Sequence, residues 1–217
     1  AVATAGAAAI VVSRWDSAWE GLPCSFIITD DTTTALQAMA AKYRAWHNPL
    51  LIGLTGSNGK TSTKDLAAAV LSPLYKTTAT LGNLNNELGV PITLLSLKDG
   101  DQCAVVEMGM NHPGEIKTLV DIAQPDAAII TNVGVAHIEN MGSQDAIAWE
   151  KGTLAANVRP GGIVVLNSGD RYSRLIARHC QAEVFTAGIG EGDVAAHDLR
   201  PDSGGTHFSL NFGGHHE

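Results

Sequence analysis

At about 150 residues per domain, 217 residues make one large domain plus a piece of another. Hydrophobic residues are 45% and charged residues 17%, with mean hydropathy +0.06, which excludes disorder and coiled coil in a chain long enough to bury a proper core. Fourteen basic against 22 acidic residues give a net charge of −8, and without basic blocks this argues against binding to nucleic acid or anionic membrane. Cys24, Cys103 and Cys180 are odd in number and form no CxxC, so they read as reduced thiols of a cytoplasmic protein. No apolar run reaches the roughly 18 residues that membrane insertion needs. The opening AVATAGAAAIVV lacks a basic flank and runs through Ser13-Arg14 into further structure, unlike a secretory signal. It reads as the end of an Ala-rich helix; with no initial Met, and with His215-His216-Glu217 following a strand directly, the chain is expected to be a fragment of a longer protein.

Short apolar runs without polar alternation occur at Ala9–Val12, Phe26–Ile28, Leu50–Leu54, Ala104–Val106, Ala127–Ile130 and Ile163–Leu166, as strands covered on both faces do. Helix-like stretches lie between them: Thr33–Trp46, Lys60–Leu71, Pro113–Ala123, Ser143–Asn157 and Arg171–His179. Pro113 suits a first turn. The alternation predicts an α/β fold, a mainly parallel sheet flanked by helices. Asp193–Leu199 and Thr206–Phe212, separated by Pro201-Asp202-Ser203-Gly204-Gly205, predict a small antiparallel addition near the C-terminus. The expected domain boundary is His47-Asn48-Pro49, where a helix ends before a strong strand.

After the Leu50–Leu54 strand come Thr55-Gly56-Ser57-Asn58-Gly59-Lys60-Thr61 and a helix. Glycines turn backbone N–H groups toward an anion, and the helix N-terminus adds its dipole. Lys60 can then reach β/γ-phosphates and the Thr61 hydroxyl can ligate Mg²⁺. The spacing is a P-loop variant, with Leu54 where a glycine usually stands and glycines at 53 and 56. The bland alternative is a Gly-rich turn with an incidental lysine. A P-loop needs a carboxylate at a neighbouring strand end, and Glu107 follows the Cys103–Val106 strand; read alone it is either that ligand or a strand-end residue facing water.

Two more strands end in polar groups, Thr131-Asn132 leading on to His137, and Asn167-Ser168-Gly169-Asp170. In an open parallel sheet the ligand crevice lies beyond the carboxyl ends of the strands. Alone, His137 is a ligand or a loop histidine, Asp170 is a helix cap, and Asn83, Asn85 and Asn86 are turn residues. His47, His112, His179, His197 and His207 show no partner pattern and read as surface or structural, and His215-His216 as strand-end sequence.

Together, Thr55–Thr63 (TGSNGKTST), Gly82–Leu94 (GNLNNELGVPITL), Val106–Ile116 (VEMGMNHPGEI), Thr131–Gly142 (TNVGVAHIENMG) and Lys151-Gly152 resemble the Mur ligase family, ATP-dependent amide-forming enzymes of bacterial peptidoglycan assembly. The GN-x-NN-x-x-G-x-P and E-M-G-x-N-H-x-G-E-I runs are most similar to those of members that join D-Ala-D-Ala to UDP-MurNAc-tripeptide through an acyl phosphate. The resemblance implies that residues 1–47 end a UDP-substrate-binding domain and that 48–217 are most of a central ATP-binding domain. A C-terminal Rossmann-like domain would be absent, leaving the fragment inactive alone. It further implies ATP contacts from Gly56, Ser57, Asn58, Gly59, Lys60, Thr61 and Ser62, and one Mg²⁺ on Thr61 and Glu107. A second Mg²⁺ would sit on His137. Lys151, a solvated helix lysine on its own reading, would bridge as a carbamate, although Thr153 stands where family members often carry an acidic residue. Asn83, Asn85, Asn86 and Asn111 match substrate-loop positions. The implied setting is cytoplasmic and monomeric. The alternatives are another Mur-type ligase or a folylpolyglutamate synthase, and a nucleotide-binding fragment or simple P-loop phosphohydrolase.

Overall fold

Asp31 accepts hydrogen bonds from the Thr33 and Thr34 amides and so starts α1 (Thr32–His47), which stops where Asn48 turns left-handed at φ 46°. In the computed structural model, which describes residues 2–213 and the backbone of His215 and His216, this helix is the hinge point of the chain's layout. Before it, β1 (Ala9–Val12) and β2 (Ser25–Ile28) pair in parallel as a separate two-stranded sheet. Trp15, Trp19 and Phe26 pack together in the connection. Residues 2–6 form turns rather than the end of an Ala-rich helix.

After α1, buried apolar strands alternate with helices: β3 (Leu50–Thr55), α2 (Lys60–Leu71), β4 (Thr77–Ala79), α3 (Gly89–Leu95), β5 (Cys103–Glu107), α4 (Glu115–Ala123), β6 (Ala127–Ile130), α5 (Ile138–Met141), α6 (Gln144–Ala156), β7 (Ile163–Asn167), α7 (Ser173–Ala177) and β8 (Glu183–Ile189). The chain closes on β9 (Val194–Asp202), β10 (Gly205–Phe212) and β11 (His215–His216). The sheet order is β11-β10-β9-β8-β7-β6-β3-β5-β4. Every pairing from β4 across to β9 is parallel, and β9-β10-β11 are antiparallel. The expected mainly parallel sheet with an antiparallel C-terminal addition is therefore what forms. The side chains of His215 and His216 lie outside the described residues.

Alternation along β5 decides what faces what. Ala104, Val106 and the following Met108 join one core with Ile116, Leu119, Ile147 and Leu154 from α4 and α6. Cys103, Val105 and Glu107, equally buried, occupy the other set of positions, and Glu107 meets α2. Gly53 belongs to this packing rather than to the phosphate loop: a Cβ there would lie 2.8 Å from Leu154 Cδ1.

α1 is docked on the same core. Ala40 is fully buried, Tyr43 donates to the Leu97 carbonyl, and Arg44 donates to the carbonyls of Ala123 and Gln124 and to Asp126 Oδ2 at 3.1 Å. The helix expected to end the preceding domain thus shares its packing with α3 and α4.

Several bounds differ for local reasons. α4 begins at Glu115, not Pro113, because Gly114 is its left-handed N-cap at φ 88°. The last expected helix shrinks to Ser173–Ala177. β4, α3, α5 and β8 were not anticipated: β4 is three polar-leaning residues, and Pro91 in α3 masks a helix that tolerates it because it lies in the first turn.

Candidate active site

The turn from β3 into α2 is built for an anion. Gly56 passes so close to the β6 end that a Cβ would lie 1.8 Å from Thr131 Oγ1, so no side chain fits. Gly59 is left-handed at φ 78° and caps α2 without any side-chain acceptor. The first-turn amides of α2 therefore lack a side-chain cap and, with the helix dipole, favour negative charge. Lys60 folds back onto its own loop, Nζ donating to the Gly56 carbonyl at 2.9 Å.

The loop is held from the next strand. Ser57 N–H donates to the Asn132 carbonyl and Asn58 N–H to Asn132 Oδ1. Thr131 Oγ1 and Asn132 Nδ2 both donate to the Asn58 carbonyl, and Gly134 N–H donates to Ser57 Oγ. Asp170 does more than cap α7's approach: it accepts from Tyr172 N–H and also from Val133 N–H, while Asn167 Nδ2 donates to the Thr131 carbonyl. Ser62 is exposed on the first turn of α2.

Glu107, at 1% exposure, sits where the β5 alternation aims it at α2. Thr61 Oγ1 donates to its Oε2 at 3.0 Å, Asn85 Nδ2 donates to its Oε1 at 2.8 Å, and its own N–H donates to Thr80 Oγ1. Thr80 is fixed in turn by buried Lys64, which donates to its carbonyl. Two oxygens at adjacent corners of a Mg²⁺ octahedron, each about 2.05 Å from the ion, lie about 2.9 Å apart. The Thr61–Glu107 oxygen separation of 3.0 Å is that of the hydrogen bond between them, and it is also compatible with a hard divalent cation bound at both.

Beside this pair opens a cleft of about 320 Å³ lined by Lys60, Asn85, Asn86, Asn111, His137 and Lys151, with Glu87, Gly109, Met110, Glu115, Thr118 and Leu119 completing its walls. His137 is half-buried and left-handed at φ 64° as the N-cap of α5. Lys151, 2% exposed, is no solvated lysine. Burial pushes its pKa down to about 8, helped by the Lys60 charge and opposed by Glu150, so about a tenth of it is neutral at pH 7. Among the described residues no cluster of three or more His, Cys, Asp or Glu side chains could hold a metal. The oxygen donors that do meet are the Thr61 hydroxyl and the Glu107 carboxylate, and His137 lines the cleft beside them.

The substrate-loop expectations separate. Asn85 and Asn111 are in the cleft wall. Asn86 is too, although its Oδ1 also accepts from the Leu88 and Gly89 amides at the start of α3. Asn83 is exposed and outside the cleft lining, its carbonyl accepting from Asn85 N–H. Sequence reading gave no site role to Asn132 or Glu115 and did not single out Thr80, Lys64 or Glu150. Burial raises the Glu115 carboxyl, and hydrogen bonds from the Asn111 and His112 amides and the His112 ring outweigh it, leaving its pKa lowered. Cys24, Cys103 and Cys180 are free, and among the described residues no helix is long and apolar enough to cross a membrane.

Comparison with known proteins gives the family. The Mur ligase middle domain model matches residues 54–217. The chain is 38% identical over 208 residues to UDP-N-acetylmuramoyl-tripeptide–D-alanyl-D-alanine ligase of Bacillus subtilis, covering 95% of this chain and 44% of that protein. It superposes on MurF from Acinetobacter baumannii with a TM-score of 0.87 at 34% identity, covering 95% of this chain and 45% of that one. MurF ligase from Thermotoga maritima in complex with ADP gives 0.87 at 27% identity, covering 98% and 48%. The chain spans about half the length of the curated relatives it matches.

Proposed function

The chain belongs to the Mur ligase family, and on that premise we propose that it carries the nucleotide site of an enzyme joining D-Ala-D-Ala to UDP-MurNAc-tripeptide in peptidoglycan precursor synthesis. The observation that carries the reading is the Thr61 hydroxyl set 3.0 Å from the Glu107 carboxylate, beside a cleft that also receives Lys60, His137 and Lys151. ATP binding is supported by the uncapped start of α2 and by the ADP bound to the Thermotoga maritima relative.

In the proposed reaction an oxygen of the peptide carboxylate attacks the γ-phosphorus of ATP and ADP leaves. The lone pair of the dipeptide amine then attacks the acyl carbon. The amine nitrogen, now positively charged, gives a proton to water, and collapse of the tetrahedral adduct breaks the acyl carbon–oxygen bond and expels phosphate. Gly56, Ser57, Asn58, Gly59 and Ser62 shape the phosphate cradle, and Lys60 swings from the Gly56 carbonyl to the β/γ-phosphates. Thr61 and Glu107 would hold one Mg²⁺ and His137 a second, and bound Mg²⁺ would neutralise charge on the transferring phosphoryl group. Lys151, neutral in part, is able to take up CO₂ as a carbamate and so present an anionic oxygen from a position where its ammonium would repel the metals. Asn85, Asn86 and Asn111, with Asn83 at the margin, line the approach of the peptide. Local cations must outweigh a global charge of −8 that repels both anionic substrates.

The domain division is part of the proposal. Residues 1–47 end a UDP-substrate-binding unit whose α1 is docked on the central unit, and 48–217 belong to the central ATP-binding unit. The enzyme is taken to be cytoplasmic and monomeric. The test is ADP release in the natural full-length protein with D-Ala-D-Ala, glutamate or a diamino acid offered as the amine. Turnover should need D-Ala-D-Ala and vanish in Lys60→Ala; turnover unaltered by that substitution defeats the reading.

A further inference from the structure

The start of α4 has no cap of its own. Gly114 stands at the N-cap position without a side chain, and first-turn amides left without partners in a buried setting are costly. The missing acceptor comes from α6. Glu150, 6% exposed, accepts from Gly114 N–H through Oε2 at 2.9 Å and from Ile116 N–H through Oε1 at 2.8 Å. Both carboxylate oxygens are thus committed to the N-terminus of another helix, where the dipole favours negative charge.

Two walls of the cleft meet at this clamp. On one side, the segment leading back from Gly114 contributes Gly109, Met110 and Asn111 to the lining. It is tied to α4 again where Glu115 accepts from Asn111 N–H and contacts the His112 ring. On the other side, the residue after Glu150 is Lys151, which lines the same cleft. Apolar packing of Ile116 and Leu119 with Ile147 and Leu154 brings the helices together, but such contacts set distance better than register. The carboxylate fixes the register.

We propose that Glu150 is a positioning residue for the reaction assigned above: it locks the Gly109–Gly114 wall to the helix bearing Lys151, so that the two sides of the substrate cleft hold one relative placement. The inference rests on that functional reading. It touches no phosphate-loop residue, so its removal spares nucleotide binding.

The test is Glu150→Gln in the natural full-length protein. Glutamine keeps the shape but turns an amino group toward one of the two N–H donors, and the apolar helix interface keeps the variant folded. Expected is a loss of about ten- to a hundredfold in kcat/KM for the UDP-linked peptide and D-Ala-D-Ala. The Kd of Mg-ADP should stay within about twofold, as expected for a group remote from the phosphates. Amide hydrogen exchange should speed up at Gly114 and Ile116 but not at the C-terminal end of α4. Wild-type turnover with an unchanged variant overturns this inference alone. So does a loss that falls equally on nucleotide and peptide substrates, which would mark a merely structural role. Failure of the wild type to form the amide overturns the functional reading, and this inference with it.

Discussion

Glu107→Gln separates a metal-holding carboxylate from a structural one, because the two roles give opposite signs. Both groups donating to Glu107, Thr61 Oγ1 and Asn85 Nδ2, are neutral, and the side chain is 1% exposed. A buried carboxylate without a cationic partner costs stability. Glutamine is isosteric, can accept from Asn85 and can donate to the Thr61 oxygen, so both hydrogen bonds survive. The ligand-free variant should therefore be as stable as the wild type or more stable, by up to about 2 kcal/mol.

The ligand-bound state should move the other way. At a Mg-ADP concentration a hundred times Kd the wild type gains about 2.7 kcal/mol, which for a chain of this size is a Tm rise of about 5–11 °C. Loss of one anionic ligand that weakens binding about a hundredfold leaves the same solution near Kd, a gain of about 0.4 kcal/mol and about 1–2 °C. The assay is thermal denaturation of both proteins with and without Mg-ADP, with ADP plus chelator as control. A variant that keeps the full Mg-dependent shift, or a ligand-free variant that loses more than about 2 kcal/mol, refutes the assignment of Glu107 to the metal.

Lys60→Met should remove the Mg-ADP shift while leaving ligand-free stability within about 0.5 kcal/mol, checked in the same denaturation series. Lys151 has a folded pKa of about 8 against 10.5 unfolded. The unfolded chain therefore binds more protons between those values, and stability must rise with pH across that window. Relative to Lys151→Met, urea unfolding in CO₂-free buffer should show wild type gaining about 3 kcal/mol in all, nearly all of it between pH 8 and 10.5 and almost none below pH 7. Leu154→Ala empties the space over Gly53 and should cost about 2–5 kcal/mol in the same urea assay.

What was legible in the sequence was whatever neighbours in the chain decide together. Strand, glycine turn, Lys60 and Thr61 are consecutive, and Glu107 ends its strand, so each could be placed at a strand's carboxyl end from order alone. The role of Asn132 could not be read so: its hold on Ser57 and Asn58 spans more than seventy residues. Glu150 is equally hidden, because its partners Gly114 and Ile116 are more than thirty residues away and its sequence context is that of an ordinary helix glutamate. Lys151 was misjudged as solvated on its own pattern because burial of a helix position depends on which neighbours pack there. β8 escaped notice because EVFTAGI carries no continuous apolar run; its place is set by pairing with β7.

The polar side chains at the strand ends have a common logic. Thr55 donates to the Met108 carbonyl, Thr131 to the Asn58 carbonyl and Asn167 to the Thr131 carbonyl, so β5, β3, β6 and β7 are linked in series just below the cleft. Each link gives a hydrogen-bond donor to a backbone carbonyl at or beyond the point where the ladder stops. The phosphate loop is thereby shaped before any ligand arrives, and binding need not bear the cost of ordering it. Lys60 is the exception. Its ammonium is held by one carbonyl of its own loop, a hydrogen bond that a phosphate oxygen, being anionic, replaces with a stronger one. The loop is tied down by several hydrogen bonds and its cation by one, a division of labour that suits the proposed nucleotide site.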